Sequence, residues 1–164
     1  MRIKNSLCFA IIFIPIFAIN TYSQSAVQLA TFLPDTLGEF IATKAAVKKE
    51  KHGGSKGDSV QVRVQRGYSS PNRPIAIVAI IYGNGVPEII KGVFSKKGTL
   101  ISISKFDAII LPHEKNDPIS KSVRASVKIL NNMIVTIMVV NTTNKKYPIS
   151  ILQKLDLKGL STLH

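Results

Sequence analysis

Apolar residues recur along this chain with two different periods. Val60, Val62 and Val64 alternate with Gln61, Arg63 and Gln65, and Val123, Ala125, Val127 and Ile129 alternate with Arg124, Ser126 and Lys128. A period of two predicts strands with one face in water. Ile75 to Tyr82 is apolar at every position, and MIVTIMVV (133–140) is nearly so. Both are of strand length and predict central strands covered on both faces. In GNGVPEIIKGVFSKKG the period changes: Val86, Ile89, Ile90, Val93 and Phe94 fall at helical spacing, Pro87 fits a first turn and Gly98 a terminus. A second main helix is expected from Pro148 to about Lys158.

Weaker signals fill the gaps. Ala26 to Leu33 predicts a short helix whose inner face carries Val27, Ala30 and Leu33, or Leu29 and Phe32, and Pro34 ends it. Asp35 and Thr36 suit a turn, Gly38 tolerates positive φ, and Phe40 to Val47 reads as a strand. Lys48 to Ser59, almost wholly polar with three glycines, predicts a mobile loop. Leu100 to Ile103 and Asp107 to Leu111 form one interrupted strand or two short ones. Asn131-Asn132 predicts a left-handed two-residue hairpin turn, pairing Ile129 with Ile134, Val127 with Thr136 and Ala125 with Met138. VPEIIKGVFSKKG (86–98) also aligns with YPISILQKLDLKG (147–159) at an offset of 61 residues. Duplication and shared capping chemistry both account for that match. The expected fold is α+β: an antiparallel sheet of about six strands with two main helices packed on it, compatible with a βββα pseudo-repeat.

The N-terminus is a separate matter. Arg2 and Lys4 precede a 13-residue apolar stretch, Leu7 to Ile19, followed by small and polar residues. This layout predicts a cleavable export signal over 1–23 and a single α+β domain over 24–164. The stretch contains Pro15 and is shorter than the about 20 residues of a bilayer-spanning helix. No later apolar run reaches spanning length, so the mature chain is expected to lack a transmembrane span. Cys8, the only cysteine, lies near the start of the stretch, where a lipoprotein cysteine does not sit. The mature chain would therefore have no disulfide and no thiolate chemistry.

Charge narrows the partners. Removing Arg2 and Lys4 from 22 basic residues leaves 20 against 9 acidic ones, a net charge of +11 on the mature chain. That balance favours anionic partners, an envelope component or an acidic protein. Lysines gather as Lys48, Lys49, Lys51 and Lys56 around the polar loop, Lys96-Lys97 after one helix, and Lys145-Lys146 before the other. These eight are the candidate binding residues. Lys96-Lys97 also complement a helix dipole.

Catalytic signals are thin. His113, Glu114 and Asp117 cluster in LPHEKNDP, the one place where a histidine and carboxylates suit acid–base work, with no nucleophile alongside. His52 and His164 stand apart, and no set of residues has metal-ligand spacing, so neither metal nor cofactor is expected. SISK (102–105) has the Ser-x-x-Lys spacing but lies in a strand pattern, whereas the motif needs a helix. Pro87 removes a backbone donor that a phosphate cradle would use. RVQRGY offers Arg63, Arg66 and Tyr68 to a nucleic acid, but the chain has no tryptophan and export argues against that role.

LPDTLGEFIA, with Leu33, Pro34, Leu37, Gly38 and Phe40, resembles the start of a loose group of exported bacterial domains of unknown function, and ILQKLDLKGLSTL is similar to their closing helix. The resemblance brackets the mature chain and implies packing and turn roles for these residues, with no catalytic residue to carry over. The element order also resembles the Mog1/PsbP-like α+β fold, whose members include envelope proteins and chaperones. The expected function is that of a periplasmic or secreted, non-catalytic binding or accessory factor of the cell envelope. The alternatives are an inhibitor or immunity-type protein on an acidic partner, or a small hydrolase using His113.

Overall fold

β5 (Ile75–Gly83) and β9 (Met133–Val140) form the centre of the molecule, paired antiparallel from Ile75↔Val140 to Tyr82↔Met133. The computed structural model describes residues 26–38, 40–43, 45–52, 59–69, 74–112 and 121–163, the side chains of 47 and 49–52 excepted. The expected signal segment therefore lies outside the described residues. Around the central pair lie β1 (Thr36–Leu37), β2 (Phe40–Ala42), β3 (Ala46–His52), β4 (Ser59–Ser69), β6 (Thr99–Ile103), β7 (Phe106–Leu111) and β8 (Ser122–Leu130). Eight strands follow the order β1-β2-β4-β5-β9-β8-β7-β6, and β3 also pairs with β4. Every pairing is antiparallel.

The expected α+β class is what the chain adopts, with nine strands among the described residues in place of about six. The extra strands come from segments whose pattern is too short or too polar to show a period. The predicted strand from Phe40 to Val47 is two, β2 and β3, because β4 is long enough to pair with both. The break falls at Thr43, whose N–H and hydroxyl both donate to the carbonyl of Gly67. Lys48 to His52, expected in a mobile loop, extend β3 along β4. A charged edge strand is a common protection against unwanted pairing, and its polarity imitates a loop.

The interior lies mainly on one face of the sheet. Val62, Val64 and Tyr68 of β4, Ala76, Val78 and Ile80 of β5, Val135, Ile137 and Val139 of β9 and Val123, Ala125 and Val127 of β8 are all buried there. Three helices close over them: α1 (26–30), α3 (Lys146–Leu152) and α4 (Leu157–Leu160). Leu29, Leu33, Ile151, Leu152, Leu157 and Leu160 supply the contacts. Each fully buried aliphatic side chain stabilises by about 1.5–3 kcal/mol before entropy is counted. The inner face over 26–33 carries Ala26, Leu29 and Leu33, with Ala30 and Phe32 packed against the core; of the two expected sets, that of Leu29 and Phe32 fits, and Val27 of the other is exposed. The predicted final helix is also two, because Asp156 caps a new start by accepting from the N–H of Gly159 at 2.7 Å.

α2 (Val86–Phe94) packs on the opposite face, over Ile81 and Ile134. The two helices of the apparent repeat thus lie on opposite sides of the sheet, and four strands, β6 to β9, precede the second where three precede the first after β2. The β8–β9 hairpin turns at Asn131-Asn132 as expected, but neither residue has positive φ. A bulge between Lys128 and Leu130 absorbs the twist, so Val127 faces Val135 and Ala125 faces Ile137, one residue from the expected register.

Candidate binding trough

The face beneath α2 is organised by rows of side chains that run across the strands. In one row Arg63 faces Ile81, Ile81 faces Ile134 and Ile134 faces Lys128. Two residues along, Ala79 faces Thr136 and Thr136 faces Ser126. In the next row Ile77 faces Met138, Met138 faces Arg124 and Arg124 faces Leu111. Three adjacent small residues thus lie between two rows of large ones. Side chains in register stand upright on one face of a sheet, so a row of small ones leaves a furrow.

That furrow is a trough of about 370 Å³, walled by Val93 of α2 and Ile81 on one side and by Ile77, Met138 and Leu111 on the other. Among the described residues its lining includes Arg63, Arg124 and Lys96 and no carboxylate. Lys96 follows α2, and Gly98 two residues later meets Ile109 and Ile110 of β7, which brings Lys96 to the β7–β8 end. Arg124 is on β8 at that end, and Arg63 is on β4, three strands across and four residues along, roughly 20 Å away at ordinary sheet spacings. The Nε of Arg63 is buried without a hydrogen-bond partner among the described residues.

The lysines expected to bind do not form one patch. Lys48 is exposed on the edge strand β3, where the backbones of Lys49 and Lys51 also lie, and Lys56 is outside the described residues. Lys96-Lys97 follow α2, whereas Lys145-Lys146 begin α3 on the other side of the sheet. Of those whose side chains are described, Lys96 lines the trough. Arg63 and Arg124, the trough's other cations among the described residues, stand at outward positions of alternating strands, and the sequence singles out only Arg63, within RVQRGY. His113, Glu114 and Asp117 lie outside the described residues. Ser102 sits on β6 opposite Asp107 while Lys105 is in the following turn, so SISK has no helical geometry. Arg63 points to the face opposite Arg66 and Tyr68, and RVQRGY presents no joint surface.

Among the described residues no group of histidine, cysteine and carboxylate side chains could hold a metal ion, and no helix is long and apolar enough to cross a membrane. Compared with known proteins, the chain matches no family model, no curated protein and no solved structure.

Proposed function

We propose that this protein is a non-catalytic binding or accessory factor of the bacterial cell envelope, exported to the periplasm or beyond, that docks an anionic envelope component on the sheet face under α2. The observation that carries the reading is the trough: an apolar-walled furrow whose charged lining residues, among those described, are Arg63, Lys96 and Arg124, all of the same sign. Cations on low-dielectric walls attract anions more strongly than the same charges dispersed in water. The overall excess of basic residues supports the same partner class and would speed its capture. The signal-like first 23 residues and the resemblance of LPDTLGEFIA to exported domains support the compartment.

Sedimentation with phosphatidylglycerol and phosphatidylcholine vesicles tests the reading. The protein is expected to bind the anionic vesicles in dilute salt, to release them at several hundred millimolar salt, where the Debye length falls towards about 3 Å, and to ignore the zwitterionic ones. Equal binding to both lipids, or no binding to the anionic one in dilute salt, overturns it.

A further inference from the structure

β6 ends the sheet, and among the described residues β7 is the strand that pairs with it. The edge on the other side of the molecule, β3, reads AVKKEKH, and charge of that kind discourages further pairing. β6 reads TLISI, with no charge and no proline, and its register with β7 runs without a bulge. Leu100 is 69% exposed, and Thr99 and Ser102 are exposed as well. We infer that β6 is a docking edge for an extended segment of a partner protein, apolar in its middle and carrying carboxylates at both ends. Among the described residues none of β6 lines the trough, and the role of this edge is independent of the function proposed above.

The backbone selects the conformation of the occupant. Ser104-Lys105 is a two-residue turn, which makes Ile103 and Phe106 a hydrogen-bonded pair, and alternation then turns the N–H and carbonyl groups of Ile101 and Thr99 towards β7. Those of Leu100 and Ser102 point out of the edge. Such a row of donors and acceptors at strand spacing is matched by another strand. Side chains select its middle: Leu100 stands on one face of the edge and half-buried Ile101 on the other, so an apolar strand would cover both. Charge selects its ends. Lys97 lies just before β6 and Lys105 just after it, both exposed, while Asp107, the sole acidic residue from Ser95 to Leu111, is one strand back on β7.

The same charges decide against a second copy of this chain. An antiparallel second copy would bring lysines to both ends of the ladder, where like charges repel, and would add its own net positive charge. A lipid surface or a small anion would answer the lysines and leave the backbone edge unused.

Titration of the purified protein with the capped peptide Glu-Val-Thr-Val-Thr-Val-Glu, followed by NMR, provides the test. The peptide is expected to bind at least tenfold more tightly than the same peptide with lysine at both ends, and the difference should shrink at several hundred millimolar salt. It should slow hydrogen exchange of the Leu100 and Ser102 amides at least tenfold and affect Ile101, already bonded to β7, much less. Ser102→Pro removes an outward N–H that the pairing with β7 does not use, and it should weaken the peptide at least tenfold. Should that variant fail to fold, the exchange pattern of the wild type decides alone. Equal affinity for the two peptides, protection confined to other residues, or a folded Ser102→Pro protein that binds as the wild type does overturns the inference. A dimer in sedimentation equilibrium that protects these two amides assigns the edge to a second copy and overturns the acidic partner.

Discussion

Arg66 Nη1 donates a 2.6 Å hydrogen bond to the carbonyl oxygen of Leu33, and the same nitrogen lies 2.7 Å from the carboxylate of Asp35. This contact explains why the small-residue stretch LPDT follows a helix. The carbonyls of Leu33 and Pro34, in the turn that follows α1, need donors, and β4 supplies one from Arg66 and another from Tyr68, whose hydroxyl donates to the carbonyl of Pro34 at 3.0 Å. Arg66 itself is mostly covered, with 17% of its side chain exposed, whereas Asp35 is 93% exposed. The two partners should therefore contribute unequally. Arg66→Ala is expected to lower stability by about 1.5–3 kcal/mol through loss of a charge-assisted bond to a part-buried carbonyl. Asp35→Ala should change it little, as exposed ion pairs do. Urea denaturation of the two variants checks the order, and equal losses would show that the ion pair carries the latch.

Tyr68 makes the latch sensitive to alkali. Its side chain is buried, and that burial pushes its hydroxyl up to about 12 against the opposing pull of Arg66. In the unfolded chain the ordinary value is about 10. Between these values the folded protein keeps a proton that the unfolded chain loses. Stability supplied by neutral Tyr68 is thus complete below pH 10 and is lost as pH rises towards 12. Tyr68→Phe should cost about 1 kcal/mol at pH 7, from the bond to Pro34. It should also flatten the decline of stability above pH 10. Tyrosinate absorbance at 295 nm gives a second reading, since the variant should lose the tyrosine that ionises near pH 12.

The β6–β7 hairpin carries strain that sequence can relieve. Ser104 and Lys105 have φ of 51° and 73°, the left-handed geometry of a two-residue turn between Ile103 and Phe106. Residues with a β-carbon adopt this at a cost, and Asn-Gly is the favoured pair. Replacing Ser104-Lys105 with Asn-Gly is expected to stabilise by about 0.5–1 kcal/mol, a rise in Tm of roughly 2–4 °C by calorimetry. An unchanged or lower Tm would mean that the turn is held by its strands alone.

The difference between what was legible and what was not follows from the length scale of each signal. Ile75–Tyr82 and Met133–Val140 are apolar runs of eight residues, the Val60 and Val123 alternations repeat three or four times and α2 keeps its helical spacing over about two turns, and each forms the expected element. β1 and β2 are two and three residues long, and no period can be read from so few. The trough was illegible for a different reason. It depends on Ala79, Thr136 and Ser126 standing in one row, and those residues are distant in sequence and meet through pairing register. The bulge at Lys128–Leu130 sets that register, and an unbulged hairpin would have put Arg124 opposite Val139 and removed it from the rim.

The sharpest test of the two faces compares one substitution at two sites. Ile77 and Ile137 both lie in the central strands, and their sequence surroundings are equally apolar, so a carboxylate at either is expected from the sequence to be severe. The structure separates them. Ile137 is 1% exposed and packs within the main core beneath the helices. Ile77 is half-buried on the opposite face, where it walls the trough. Ile137→Asp must bury an unpaired charge or take up a proton, and a loss above about 4 kcal/mol is expected, enough to unfold many domains of this size. Ile77→Asp can turn its carboxylate into the open furrow, forfeiting about 1–2 kcal/mol of apolar burial. The folded Ile77→Asp protein should then bind anionic vesicles more weakly than wild type, because it places a negative charge in the furrow that Arg63, Lys96 and Arg124 line. Circular dichroism melts and vesicle sedimentation of the same preparation read both effects, and an Ile77→Asp variant as unstable as Ile137→Asp would mean that the trough is closed.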